Sequence, residues 1–164
     1  MKHAIIDSPI GELTLVGDGD GDVVTGLYFP HHWTRPDRTA FGPRDDSAFP
    51  AAAAQLKEYF AGQRTEFDVP TRADGPAFDR AVWAEIAKIP YGATATYGDL
   101  ARSVGVLPQE VGAAVGRNPL SILVACHRVV GKNGKLTGYA GGVRRKEFLL
   151  ELERPPADER GQLW

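Results

Sequence analysis

Over the first thirty residues the apolar positions come in short runs separated by turn chemistry. Leu13 and Leu15 alternate with polar neighbours, Asp18-Gly19-Asp20-Gly21-Asp22 reverses the chain, and a second apolar run covers Val23 to Phe29. The pattern predicts a β-hairpin. Pro30 to Pro50 has no period and is rich in Pro, Arg, Asp and His, so it reads as a long surface loop. A helix is expected over Ala51 to Ala61, stopped by Gly62, and Val69 to Pro76 reads as a linker.

Beyond the linker the apolar period lengthens to about one helical turn. Phe78, Val82, Ile86 and Ile89 predict a helix with Pro76 at its start, closed by Pro90 and the tight turn Pro90-Tyr91-Gly92. Thr96 with Asp99 three residues on resembles a capping box, after which Tyr97, Leu100, Ala101 and Val104 share a face and Gly105 ends the segment. Pro108 then opens a further helix through Gly116, so two helices meet at a very short turn in a helix-turn-helix pattern. A last helix runs from about Val143 to Glu153. There Leu149, Leu150 and Glu153 border the apolar side, whereas Arg145, Lys146, Glu147 and Glu151 read as solvated charges. The division is a β-rich unit over 1–72, a helical unit over 73–154 and a polar tail over 155–164, an α+β arrangement of the α/β kind.

With 164 residues, 43% of them apolar, the chain can form one full-sized core or two small ones. No run approaches the roughly 18 apolar residues of a membrane span, and Asp7 interrupts what a signal peptide would continue, so the expected place is the cytoplasm. The net charge of -2 conceals a division. Residues 1–75 hold 7 Lys and Arg against 12 Asp and Glu, and residues 76–154 hold 11 against 7, which makes the helical half the candidate for a phosphate backbone.

A single cysteine excludes an internal disulfide, and with four scattered histidines it makes no zinc-ligand spacing. Cys126 is therefore structural or reactive. Its approach, Asn118-Pro119-Leu120-Ser121-Ile122-Leu123-Val124-Ala125, is apolar, and His127-Arg128 follows at the point of burial. A thiol buried in such surroundings has its thiolate disfavoured, so reactivity needs a nearby base. Side chains of adjacent residues diverge, which points to a water relay between Cys126 and His127 rather than direct contact. A basic histidine needs a third group to hold its tautomer, and Glu153 is the candidate, against the alternative of a surface ion pair at a helix end. In the second helix of the pair, Gly112, Ala113, Ala114 and Gly116 are small and allow close approach of DNA or simply of another helix.

Taken together, Tyr97, the helix from Pro108 to Arg117, Asn118-Pro119, Cys126-His127-Arg128-Val129-Val130, Gly138-Tyr139-Ala140-Gly141-Gly142 and Glu153 resemble the O6-alkylguanine-DNA alkyltransferases in order and spacing. The opening Asp7-Ser8-Pro9-Ile10-Gly11 is similar to bacterial members. The resemblance implies an RNase H-like β-rich domain followed by a helical domain, and stoichiometric transfer of an alkyl group from O6-alkylguanine in double-stranded DNA to Cys126, with no cofactor and no metal.

It also implies roles. Cys126, His127, Glu153, Asn118 and Tyr139 would be catalytic, with Asn118 bracing the turn before the cysteine. Tyr97, Val129, Tyr139 and Ala140 would contact the flipped nucleotide, the backbone carbonyls of Cys126 and Val129 accepting from its amino group. Tyr97, Gln109, Gly112, Ala113, Val115, Gly116 and Arg117 would contact the minor groove, the protein acting as a monomer, alone or cooperatively along the duplex. Two positions depart from the family. Ala125 stands where a proline commonly precedes the cysteine, loosening that turn, and Gln109 stands where an arginine fills the gap left by the flipped base.

Other readings use the same residues. A lesion-binding protein that signals without transfer would not need Cys126. A thiol enzyme acting on a small molecule would lack salt-dependent DNA binding. A helix-turn-helix transcription factor would leave Cys126, His127 and Tyr139 without a task.

Overall fold

The hairpin forms as its pattern requires and gains a third strand. In the computed structural model, which describes residues 1–18, 22–30, 38–136, 138–139 and 141–154, strands β1 (Lys2–Ile6), β2 (Leu13–Asp18) and β3 (Val23–Tyr28) make an antiparallel sheet in that order. Ala4, Leu15 and Leu27 pair across it, and all three are fully buried. Cross-strand rows of this kind are the unit of sheet stabilisation. β1 buries only Ala4 completely, so it leaves no alternation to read. Gly19, Asp20 and Gly21 of the expected turn lie outside the described residues.

Two expectations for the first half are corrected. The segment 38–49 is not a plain surface loop. It contains a 3-10 turn, Arg38–Phe41. Phe41 stacks on Tyr28 at a centroid distance of 5.5 Å, and Ala48 and Phe49 are buried. Sparse apolar anchors without a period carry no pattern in the sequence, yet Phe41 and Phe49 each remove a full ring from water, worth about 2–3 kcal/mol. Residues 31–37 of that segment lie outside the described residues. The linker is also docked: Val24 N–H donates to Pro70 and Arg72 N–H to the Val24 carbonyl, both at 3.0 Å, extending the free edge of β3. α1 (Pro50–Phe60) begins at a proline, as helices favour, and buries Ala52, Leu56 and Tyr59 along one face.

The second half carries four α-helices among the described residues. α2 (Ala77–Ile86) buries Val82, Trp83 and Ile86, and the Trp83 indole N–H donates to the Ala114 carbonyl at 2.9 Å, tying α2 to the helix that follows the turn. α3 (Tyr97–Val104) starts on a complete capping box, Thr96 with Asp99, and ends at Gly105 with φ 83°, a conformation that suits glycine. α4 (Pro108–Gly116) and α5 (Val143–Glu153) occupy the expected spans. A two-residue parallel ladder, β4 (Ala95–Thr96) with β5 (Val129–Val130), sets the start of α3 beside the chain that leaves Cys126.

One apolar core runs from Ala4 and Leu27 of the sheet to Val82, Val111 and Leu149 of the helical half. The sheet also grips the approach to the cysteine directly, since Leu27 N–H donates to the Pro119 carbonyl at 2.8 Å.

Candidate functional site

The path from α4 to Cys126 is a chain of tight turns held by Asn118. Its Nδ2 donates to the Val124 carbonyl and its Oδ1 accepts from Leu120 N–H, each at 3.0 Å, so one buried amide closes the loop from both sides. Within the loop Ile122 has φ 71° and is spanned by a hydrogen bond from Leu123 N–H to the Ser121 carbonyl at 2.8 Å. A β-branched residue with positive φ is strained and persists only where surrounding contacts over-determine it. Ala125 sits at φ -79°, ψ 61°, spanned by Cys126 N–H to the Val124 carbonyl at 2.7 Å. This is the φ a proline ring would fix, so the turn expected to be loosened is made by the chain without it.

Cys126 is buried, and burial raises its thiol pKa above the ordinary value; Asn118, the Lys146 charge and Tyr139 act against that rise. At neutral pH the sulfur is therefore protonated until a base takes its proton. No hydrogen bond joins Cys126 to His127 among the described residues. The imidazole instead bonds through Nε2 to Glu153 Oε2 at 2.7 Å. A carboxylate only accepts, so Nε2 carries the ring proton and Nδ1 is left as the basic nitrogen. Nδ1 is buried and has no partner among the described residues. Burial also lowers the His127 pKa, which keeps the ring neutral.

Glu153 closes the last turn of α5. Burial alone would raise its carboxyl, but hydrogen bonds from His127, Arg128 and Tyr59 bring it down to about 2. Arg128 Nε donates to Oε1 at 2.7 Å and Nη2 to Oε2 at 3.1 Å, while Nη1 donates to the Ile89 carbonyl at 2.7 Å. The expected surface-pair alternative for Glu153 is excluded by its 1% exposure.

Above the sulfur lies a cavity of about 40 Å³. It is lined by Cys126, Asn118 and Tyr139, by Tyr97 at the start of α3, and by Gly112, Val115 and Gly116 of α4. That volume accommodates water but not a purine. The Tyr139 hydroxyl and Ser121 Oγ are both buried, and Tyr139 interacts with Ser121 and with the Cys126 thiol. A Cβ on Gly141 would lie 2.5 Å from the Phe29 ring, whereas Gly142 has open space around it and is favoured by its φ of 93°. Ala140 lies outside the described residues.

The remaining expected residues are not among those that line this cavity. Val129 is buried on β5, where its N–H caps the Cys126 carbonyl; one lone pair of that oxygen stays available. Gln109 and Ala113 are exposed on α4. Arg117 is half exposed, and its guanidinium is held bidentately by the buried Asp79 at 2.6 and 2.7 Å, which offsets its charge. Among the described residues no three His, Cys, Asp or Glu side chains are grouped to hold a metal ion, and no helix is long and apolar enough to cross a membrane.

Two of the charges expected to be solvated are not. Lys146 is 1% exposed, its ammonium 6.0 Å from the centroid of the Tyr97 ring. Arg145 donates to the carbonyls of Ile10 at 2.8 Å and Gly141 at 3.0 Å and lies over Phe29. The spacing Lys146, Leu149, Glu153 follows one helical face, which was the available signal; the charge masked it. Tyr59 was missed altogether because it belongs to a helix 94 positions from Glu153.

Fold and site together define a class: a sheet unit with one helix docked on a helix-turn-helix unit that carries a single buried thiol followed by a buried histidine paired with a carboxylate. Residues 1–73 match the family model described as the ribonuclease-like domain of 6-O-methylguanine DNA methyltransferase, and residues 77–155 match its DNA binding domain. The chain belongs to this family.

A methylated-DNA–protein-cysteine methyltransferase of Mycobacterium tuberculosis is 50% identical over 162 residues, covering 96% of each chain. One of Methanosarcina acetivorans is 42% identical, covering 93% of this chain and 98% of the relative. The crystal structure of M. tuberculosis OGT in complex with DNA superposes with a TM-score of 0.88 at 48% identity over 93% of both chains.

Proposed function

We propose that this chain repairs double-stranded DNA by accepting an alkyl group from O6 of guanine onto Cys126, once per molecule, as a monomer in the cytoplasm. The observation that carries the reading is the arrangement at the sulfur: a lone cysteine at the floor of a cavity beside α4, with His127 Nδ1 left basic by the Nε2–Glu153 hydrogen bond. The family relatives and the DNA-bound neighbour support it.

α4 enters the minor groove with Gly112, Ala113, Val115 and Gly116 against the duplex, and the damaged nucleotide is flipped out of the stack, because O6 is out of reach of an internal thiol otherwise. The cavity widens to admit it. Tyr97 crowds the flipped nucleotide, and the carbonyls of Cys126 and Val129 accept from its amino group. His127 takes the thiol proton through a water, and the thiolate attacks the alkyl carbon in line. The S–C bond forms as the C–O6 bond breaks, and the electron pair stays on the guanine, which is reprotonated with help from the Tyr139 hydroxyl and the neighbouring Ala140 segment. Asn118 fixes the turn that aims the sulfur. The thioether product is stable, and no group among the described residues that line the cavity is suited to cleave it, so each molecule is consumed.

Intact mass spectrometry after incubation with a duplex containing O6-methylguanine tests this. The expected result is one added methyl on the peptide bearing Cys126 and restored guanine in the DNA. Many lesions repaired per protein molecule would contradict it, and tight binding without any mass gain would favour the lesion-binding alternative.

Gln109, on the exposed first turn of α4, is assigned to the space the flipped base vacates. Gln109→Arg is expected to raise transfer on duplex by about tenfold, the worth of roughly 1.4 kcal/mol from stacking and phosphate attraction of a guanidinium. The gain on single-stranded substrate should be much smaller, since no stacked partner is displaced there. Equal gains on both would reduce the effect to general attraction.

A further inference from the structure

Glu153 takes one of its hydrogen bonds from the other half of the molecule. The Tyr59 hydroxyl, near the end of α1, donates to Oε2 at 2.5 Å. The same oxygen accepts from His127 Nε2 at 2.7 Å and Arg128 Nη2 at 3.1 Å, whereas Oε1 receives only Arg128 Nε. Tyr59 is 1% exposed, and its ring is wedged by Phe60, Phe67 and Tyr91 at centroid distances of 5.3, 5.4 and 6.3 Å. Packing therefore aims the hydroxyl at the carboxylate. The bond exists only while the sheet unit is docked, because α1 belongs to it.

We propose that Tyr59 is a positioning residue for alkyl transfer: its hydroxyl fixes the Glu153 carboxylate in the orientation in which Oε2 receives His127 Nε2–H, so the N-terminal unit completes the proton relay to Cys126. The proposal rests on the reading of Cys126 as the alkyl acceptor. Three donors converging on one carboxylate oxygen, Tyr59, His127 and Arg128, fix its place relative to the imidazole. The hydroxyl also spreads the negative charge of Oε2, which limits how strongly Glu153 favours the imidazolium. Burial and the neighbouring carboxylate hold the phenol itself protonated, so it acts as a donor throughout.

Tyr59→Phe keeps the wedged ring and removes only the donor. With less of its charge taken up, Glu153 attracts a second proton on His127 more strongly, so the base is lost at higher pH. The other charged and titratable groups facing this cluster are Arg128 from the segment after Cys126, Lys146 from α5, Tyr91 from the turn after α2 and Tyr139 from the segment before α5. None of these is altered by the substitution.

Single-turnover methyl transfer from an O6-methylguanine duplex is measured across pH for wild type, Tyr59→Phe, Glu153→Gln and the double variant, with duplex binding and thermal unfolding followed in parallel. Tyr59→Phe should slow transfer about tenfold at neutral pH, move the acid limb of the rate profile to higher pH and leave lesion binding unchanged. In the Glu153→Gln background it should add nothing. An unchanged rate and profile beside an active wild type would overturn this proposal alone, as would an equal fold-loss in both backgrounds, which would reduce Tyr59 to packing. A wild type that binds the duplex and never gains a methyl would overturn the Cys126 reading, and this proposal with it.

Discussion

Cys126→Ala is expected to accept no methyl at all while still binding an O6-methylguanine duplex within a few-fold of the wild-type affinity. The groups assigned to recognition, on α4, at Tyr97 and at Tyr139, do not depend on the sulfur for their placement. The loop that delivers it is held by Asn118 to Val124 and Leu120 instead. Stability should change little, by about 1 kcal/mol, since the lost atom borders a small existing cavity. Mass spectrometry reads the first effect and a gel-shift titration the second. Methyl incorporation elsewhere in the chain would show that another nucleophile acts, and loss of binding together with transfer would show that the thiol organises the pocket.

Glu153→Gln should be damaging in two ways at once. Both carboxylate oxygens are filled by donors: Arg128 Nε on one, and His127, Tyr59 and Arg128 Nη2 on the other. A glutamine offers one acceptor oxygen, and its NH2 must face either the arginine or the histidine–tyrosine pair as a donor against donors. The Arg128 guanidinium, whose side chain is 11% exposed, loses its counter-charge. A cost of about 3–5 kcal/mol is expected from stranding one half of a buried ion pair. Transfer should fall by roughly 10²–10⁴-fold, because His127 is no longer held with its proton on Nε2.

The stability difference has a defined pH course. The folded carboxyl titrates at about 2, below its ordinary 4.5, so its contribution is fully present above 4.5 and is lost as pH falls toward 2. The buried neutral His127, its pKa lowered, adds a loss of the same sign, beginning below the ordinary 6.5. Thermal unfolding of wild type and variant at a series of pH values checks this: the gap should narrow on acidification through the window from 4.5 to 2. A gap independent of pH would mean that Glu153 acts through shape and not charge.

The sequence by itself determined whatever depends on near neighbours. The hairpin follows from alternation interrupted by Asp and Gly, and α2 to α5 follow from turn-length periodicity with Pro76, the Thr96–Asp99 box, Gly105 and Pro108 as punctuation. These signals are local because their physics is local: a cap or a turn is satisfied within four residues. Cys126 and His127 stood out by residue type alone, as a lone thiol next to basic groups, whereas spacing left Glu153 open between a partner for His127 and a surface ion pair.

Only the tertiary structure decided which surface each side chain met. Lys146 and Arg145 read as solvent charges because charge normally means exposure, yet docking of α5 turns Lys146 onto Tyr97 and Arg145 onto Ile10 and Phe29. Phe41 and Phe49 anchor a segment with no period, and β1 shows no alternation because only Ala4 is fully enclosed. The turn at Ala125 keeps a proline-like φ without proline because hydrogen bonds on either side close it. The coupling of Tyr59 to Glu153 has no local trace at all. It arises where the two units share one core, and contacts across such a core are set by three-dimensional docking that no window along the chain contains.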